Sequence, residues 1–336
     1  MVERLLAVAT ILAAALAGCN QADGPLNLRL AHVASPGSLT AISADEFASR
    51  ANERLPGGAR ITVFGSSQLG DDETLLIKLK LGTVDFSVPS TIMSSAVESF
   101  GLFEMPYLVR DREHMARIER EVVWPHLAPD AASRGFKLVA VWENGFRHIT
   151  NNQRPVENPE DLGGIKLRTP RGRWRVRLFQ TFGANPTPMS LAETFMALQT
   201  GVIDGQENPL SQIHSQKFHE VQKYLTLTGH VYTPAYLMAG LDRWQSLPES
   251  VQEVISQTAR EVQAFVYRQA GDLDQRLLAE LSSEGIAVNE CNRERFLEAG
   301  QPIFDQFAAG VPKGGELIAR TLALDSGRTG DDTLAP

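Results

Sequence analysis

Two stretches of the chain share a local grammar that leaves few folds open. Residues 71–82 and 190–201 have the same length, and each carries an apolar helix pattern after a capping residue: Asp71 or Asp72 in the first, Ser190 with Glu193 in the second. Both run into Leu-x-x-Gly-x-x-Asp, at 79–85 and 198–204. A glycine at that point stops a helix in the left-handed conformation, and a short strand follows. A helix, a glycine stop and a strand occurring once in each half point to an α/β protein with two similar lobes.

The second copy sits in a longer ordered stretch, 161–209. Before it, Ile165 and Leu167 alternate with Lys166 and Arg168, a strand with apolar and cationic faces. After it, 204–209 reads Asp-Gly-Gln-Glu-Asn-Pro. Arg168 and Asn208 therefore stand at the ends of two strands that flank one helix, positions from which both reach the crevice where open α/β sheets bind ligands.

The length of 336 residues, 43% apolar and 21% charged, suffices for a two-lobed globular protein. A net charge of −8 argues against a nucleic-acid partner, because the chain would have to overcome its own repulsion from phosphate. Residues 5–18 form an apolar, alanine-rich run, and Leu16-Ala17-Gly18-Cys19 has the small-residue pattern of a lipoprotein cleavage site. Residues 1–18 are expected to be a signal peptide and Cys19 the lipidated N-terminus of an exported, periplasmic protein. Glu3 offsetting Arg4 is atypical, and ordinary cleavage near Cys19, giving a soluble product, is the alternative. With Cys19 modified, Cys291 is the one remaining thiol and no internal disulfide forms. Elsewhere no run of ~18 apolar residues occurs, so a lipid anchor is the only expected membrane attachment.

Along the rest of the chain, strands are expected at 26–33, 60–64 and 84–88, with a helix over 38–55. The loop at 65–70 lacks the lysine of a phosphate loop and reads as a turn. Residues 138–142 form a continuous apolar strand of the kind buried on both faces, running into a first crossing between lobes at 143–147; 226–232, before Pro234, supplies the return. Apolar residues keep one helical face from 249 to about 281, near ~50 Å of helix, with Gly271 marking a bend or break. A short strand at 286–288 and a helix over 293–307 precede a disordered tail, 326–336. The expected division is lobe I, 25–144 plus 234–272, and lobe II, 145–233 plus 273–325.

The motifs GIKLRTP (164–170), GANPTPM (183–189), ALQTG (197–201), DGQENP (204–209) and EVQKYL (220–225), with SSQLG (66–70) and NGFR (144–147), together resemble the solute-binding proteins of TRAP transporters, the DctP family. The similarity covers nearly all of the mature chain. It implies a two-lobed fold like that of type II periplasmic binding proteins, with crossing hinge strands and a helix spanning both lobes. It further implies a monomeric receptor without cofactor, metal or catalysis, which closes over an organic acid and delivers it to a membrane permease of small and large subunits. In the family, the arginine matching Arg168 clamps the ligand carboxylate, assisted by those matching Arg147 and Asn208.

Physical arguments bear on the same residues. A planar guanidinium holds both oxygens of a carboxylate, and Thr169-Pro170 ends the strand just after Arg168. Asn208 precedes Pro209, which biases it to an extended backbone. Arg147 follows a glycine beyond a buried strand, with pairing to Glu143 as its rival role. His32 and Val33 end the first strand, Ser90 follows the strand that contains Asp85, and all three are further candidates. Some sialic-acid-binding relatives have glutamate where Ser90 stands, and its absence argues against that specificity. Phe182 and Leu191 would form an apolar wall, with core packing as the alternative. The basic run 171–177 reads as a solvated helix face that raises the local potential. Catalytic signatures are missing: there is no His-Glu-x-x-His, Gly-x-Ser-x-Gly or phosphate loop, and Asp204, matched by Asp85, reads as structural. The rival functions are a sensory receptor on the same fold and a secreted hydrolase.

Overall fold

The computed structural model describes residues 25–325; the expected signal peptide, Cys19 and the expected tail lie outside them. Two sheets carry the architecture. The first, in the order β2-β1-β3-β10-β4, is built from β1 (Asn27–Ala31), β2 (Arg60–Phe64), β3 (Phe86–Ser87), β4 (Phe136–Phe146) and β10 (Tyr232–Gly240). The second, in the order β11-β9-β5-β8-β6-β7, is built from β5 (His148–Asn151), β6 (Lys166–Thr169), β7 (Asn185–Pro188), β8 (Gly205–Asn208), β9 (Tyr224–Leu227) and β11 (Ala287–Glu290).

The chain changes sheet three times, twice by crossing strands and once through the long helix that leads from β10 to β11, and the apolar run at 138–142 explains where the strands cross. It lies inside β4, which pairs antiparallel with the fully buried β10 along almost its whole length. β4 passes directly through Arg147 into β5, and the return runs from the end of β9 to the start of β10. The Arg147 N–H donates to the Val231 carbonyl at 3.0 Å, so the two crossings are tied side by side. Pro234 lies within β10 rather than beyond the crossing. A register shift between Thr233 and Pro234 accommodates its missing N–H.

The repeated grammar produces the same device in both sheets. Helix Asp72–Lys80 is capped by Asp71, whose carboxylate accepts the Thr74 N–H, and helix Leu191–Gln199 by the Ser190–Glu193 capping box. Gly82 and Gly201 have φ of 68° and 71°. Asp85 accepts the Arg29 N–H at 2.7 Å and returns its own N–H to the Arg29 carbonyl; Asp204 does the same with Lys166, at 2.9 and 2.8 Å. Both aspartates are thus fasteners between neighbouring strands.

Helix Glu249–Ser283 is one uninterrupted element of 35 residues, about 52 Å long, and continues through Gly271 without a break. Val262, Val266 and Ala270 keep its buried stripe continuous up to the glycine and Leu273 and Leu277 after it, so packing outweighs the ~1 kcal/mol that glycine costs a helix. The helix packs on β4 and helix Leu39–Asn52 of the first sheet and on helix Leu210–Ser215 beside the second. Apolar packing likewise ignores the division into sheets. One cluster joins Phe100 and Phe136 to Trp174, Phe179 and Phe307; the other joins Phe47 and Trp142 to Leu198, Phe218 and Leu225. The last two helices, Arg293–Gly310 and Gly314–Ala323, lie on helix Arg173–Thr181 and on segment 98–104 respectively.

Candidate functional site

Between the sheets lies a cavity with about 60 Å³ open to the centres of water-sized spheres, room for several waters where one needs ~10–15 Å³. It is placed by strand ends. β1 leads to Val33, β3 to Val88 and Ser90, β4 to Asn144 and Arg147, β6 to Arg168 and Pro170, and β8 to Asn208. The two repeat helices complete it, because each presents its first residue, Asp72 from one side and Leu191 from the other. Two helix N-termini therefore border the cavity, and their unpaired N–H groups favour a bound anion.

Arg168 is buried, with 3% of its surface exposed, and makes no salt bridge among the described residues. Its Nε and Nη2 both donate to the Met189 carbonyl, at 3.1 and 2.8 Å. Of the five N–H groups of a guanidinium, those on Nη1 and one on Nη2 remain, and these make up the edge that grips a carboxylate through two parallel bonds. Burial, opposed by Glu207 and reinforced by Arg147, lowers its pKa to about 10, so it stays charged at neutral pH.

Arg147 stands beside it but is committed elsewhere. Its Nε and Nη2 donate to the Glu207 carboxylate at 2.5 and 3.0 Å, and Nη2 also reaches the Glu207 carbonyl and Asn208 Oδ1. Its carboxylate partner is thus Glu207; Glu143 instead takes Arg112, at 2.7 Å. Because arginine only donates, the Asn208 atom facing it must be the oxygen, which turns Nδ2 toward Gln206 Oε1 at 2.6 Å. Asn208 is thereby fixed in orientation with one N–H to spare.

Beneath these residues is a buried charge network that the sequence did not announce. Arg175 is fully buried, bonded to Glu104 at 2.6 Å and to Glu207 at 2.5 Å, so the 171–177 run is not simply a solvated face. Arg173 and Arg177 do flank it on the outside, with their guanidinium groups over the Trp174 ring. Arg175 stands three and four residues before the buried Leu178 and Phe179, a spacing that places it on the apolar face. The two arginines hold the Glu207 carboxyl far below its ordinary range despite burial, and His230 Nε2 lies 3.2 Å from it. Burial in turn lowers His230 to about 4, a neutral ring that donates to Glu207 and accepts from Thr228.

Six of the eight candidates, Val33, Ser90, Arg147, Arg168, Leu191 and Asn208, are brought together around the cavity. Two are not. Phe182 packs edge-on against Phe179 and Phe296 in the core, the alternative its apolar character left open. His32 is buried behind Val33 with its ring against Gly65, where an added Cβ would come within 2.8 Å of Cε1. Thr40, Asp72, Thr91, Asn144 and Gln212 line the cavity without having been singled out. Asp72 was the legible one: a helix needs a single capping acid, and with Asp71 in that role the next acid is left at the first turn beside the cavity. Burial pushes Asp72 up to about 6 against the pull of Arg168.

Residues 30–310 match the model of the bacterial extracellular solute-binding proteins, family 7, called DctP. The chain belongs to this family. Its members are receptors that work outside the cytoplasm, not enzymes. The 2,3-diketo-L-gulonate-binding periplasmic protein YiaO of Escherichia coli is 31% identical over 87% of this chain and 90% of its own length. A TRAP periplasmic solute-binding protein from Polaromonas, solved with D-erythronate bound, superposes with a TM-score of 0.85 at 31% identity, over 90% of this chain and 99% of that one. A Sulfurospirillum deleyianum relative solved with succinate gives 0.85 at 30% identity, over 90% and 99%. The two-lobed fold with its crossing strands and long helix is thus the fold of TRAP receptors.

Proposed function

We propose that this chain is the receptor of a TRAP transporter and that it holds an organic acid by its carboxylate on Arg168. The observation that carries the reading is a buried arginine with a free bidentate edge in a cavity between two sheets. A buried cation without a counter-ion is costly, and the ligand carboxylate supplies the missing charge. Glu207 holds Arg147, and Arg147 holds Asn208, so the surroundings of Arg168 are organised before ligand arrives. The organic acids bound in related structures, D-erythronate and succinate among them, support a carboxylate as the common feature.

In this reading lobe I, 25–144 plus 234–272, and lobe II, 145–233 plus 273–325, close on the acid, and the loaded monomer delivers it to the small and large permease subunits. No described helix is long and apolar enough to cross a membrane. Attachment to the membrane, where it occurs, is assigned to lipid on Cys19. A thermal-shift screen of organic acids tests the reading, since a ligand at ~100 times its Kd adds ~2.7 kcal/mol of stability. An acid is expected to raise the melting temperature by several degrees. Stabilisation by neutral sugars with none by any acid would overturn the carboxylate reading.

A further inference from the structure

We infer that the ligand is a short hydroxylated monocarboxylate, of the aldonic-acid type, and that the cavity excludes dicarboxylates. This rests on the Arg168 reading above and adds what the remaining lining groups require.

The first support is the supply of cations. Only two side chains lining the cavity are cationic, Arg147 and Arg168. The Nε and Nη2 groups of Arg147 are spent on Glu207 and Asn208. Arg147 keeps its Nη1 for a ligand hydrogen bond, but Glu207 already offsets its charge, so of these two cations Arg168 is the one without a salt-bridged carboxylate, and it pairs with one carboxylate. A second carboxylate would be desolvated without a partner, in a cavity that already contains Asp72.

The second support is the hydrogen-bonding character of the remaining lining groups. Gln212 Oε1 is buried and has no hydrogen-bond partner, and neither has Thr91 Oγ1. Gln212 Oε1 only accepts, and so does an ionised Asp72, which has no salt bridge among the described residues. Acceptors lacking donors call for hydroxyl groups on the ligand, and an alkyl dicarboxylate has none. Ser90 does not fill that role, because its hydroxyl already donates to the Pro234 carbonyl and receives Asn144 Nδ2. Burying an unpartnered polar atom costs about 1–3 kcal/mol, so each ligand hydroxyl that meets one is strongly selected. The cavity has room for several waters, so the ligand is a small molecule.

The test is calorimetric titration of the full-length mature protein, freed of carried-over ligand by unfolding and refolding. The probes are aldonates of four, five and six carbons, succinate, butyrate and the matching neutral alditols. At least one aldonate is expected to bind about 100-fold or more tightly than succinate and butyrate, with no binding by the alditols. Succinate or butyrate binding within tenfold of the best aldonate would overturn this inference while leaving Arg168 as the carboxylate clamp. Alditols binding as well as aldonates would overturn the clamp itself, and silence from every probe would overturn both. Asp72→Asn supplies an independent readout: replacing an acceptor-only carboxylate with an uncharged amide should narrow the aldonate-to-succinate ratio at least tenfold. An unchanged ratio would remove Asp72 from the selection.

Discussion

At the scale of single residues, the cavity sets one guanidinium without a carboxylate partner apart from two that have one. Arg168 keeps a free edge, whereas Arg147 and Arg175 share Glu207. Glu207→Gln is expected to cost about 3–5 kcal/mol in urea unfolding, because two buried guanidiniums lose a charge partner while only Arg175 retains another, Glu104. A loss under about 1 kcal/mol would show that the network does not depend on Glu207. Arg168 was singled out through its place in the motif shared with the family, because a cation before Thr-Pro, taken alone, reads more readily as a surface or salt-bridged arginine. The sequence hid Arg175 and Glu207 because their meaning is a pairing across 32 positions, visible only once helix Arg173–Thr181 and β8 are side by side.

At the scale of elements, the duplicated helix and strand are where sequence and structure agree most closely, because caps, glycine stops and fastening aspartates are local signals. Gly82 and Gly201 have left-handed backbones with open space around them; an added Cβ would meet at nearest the Arg243 Cβ, at 3.9 Å from Gly82. Alanine at either position should therefore cost a similar amount, about 1 kcal/mol, from backbone strain alone. Measured losses differing by more than about 1 kcal/mol would mean that the two copies are not equivalent. Across the cavity rim, Glu73 and Arg171 pair at 2.8 Å with both side chains more than 40% exposed. Glu73→Ala should change stability by less than about 1 kcal/mol. The unbroken passage through Gly271 was not legible, because a lone glycine signals a break only where no packed face continues beyond it.

At the scale of the whole molecule, the two lobes were legible from the repeat, the long helix and the two crossings, but the joint packing was not. The sequence shows which residues are apolar, whereas which of them meet depends on how the crossings bring the sheets together. The same region sets a pH dependence. His230 is held neutral with its pKa lowered to about 4 from 6.5, so between those values the unfolded chain binds more protons than the folded one. Its stabilisation is present above pH 6.5 and is lost on acidification toward 4. Relative to His230→Gln, the wild-type protein should lose up to about 3 kcal/mol between pH 7 and pH 4, a comparison that cancels the opposing buried acids. Parallel stability curves for the two proteins would contradict the burial of a neutral His230. All of these features converge on keeping one guanidinium edge free between the lobes. The most direct measurement is the affinity of the tightest-binding acid for wild type and for Arg168→Ala, by calorimetry at neutral pH. Loss of the buried carboxylate's partner is expected to cost about 3–5 kcal/mol, two to three or more decades in Kd; a change smaller than tenfold would contradict the assignment of Arg168 as the clamp.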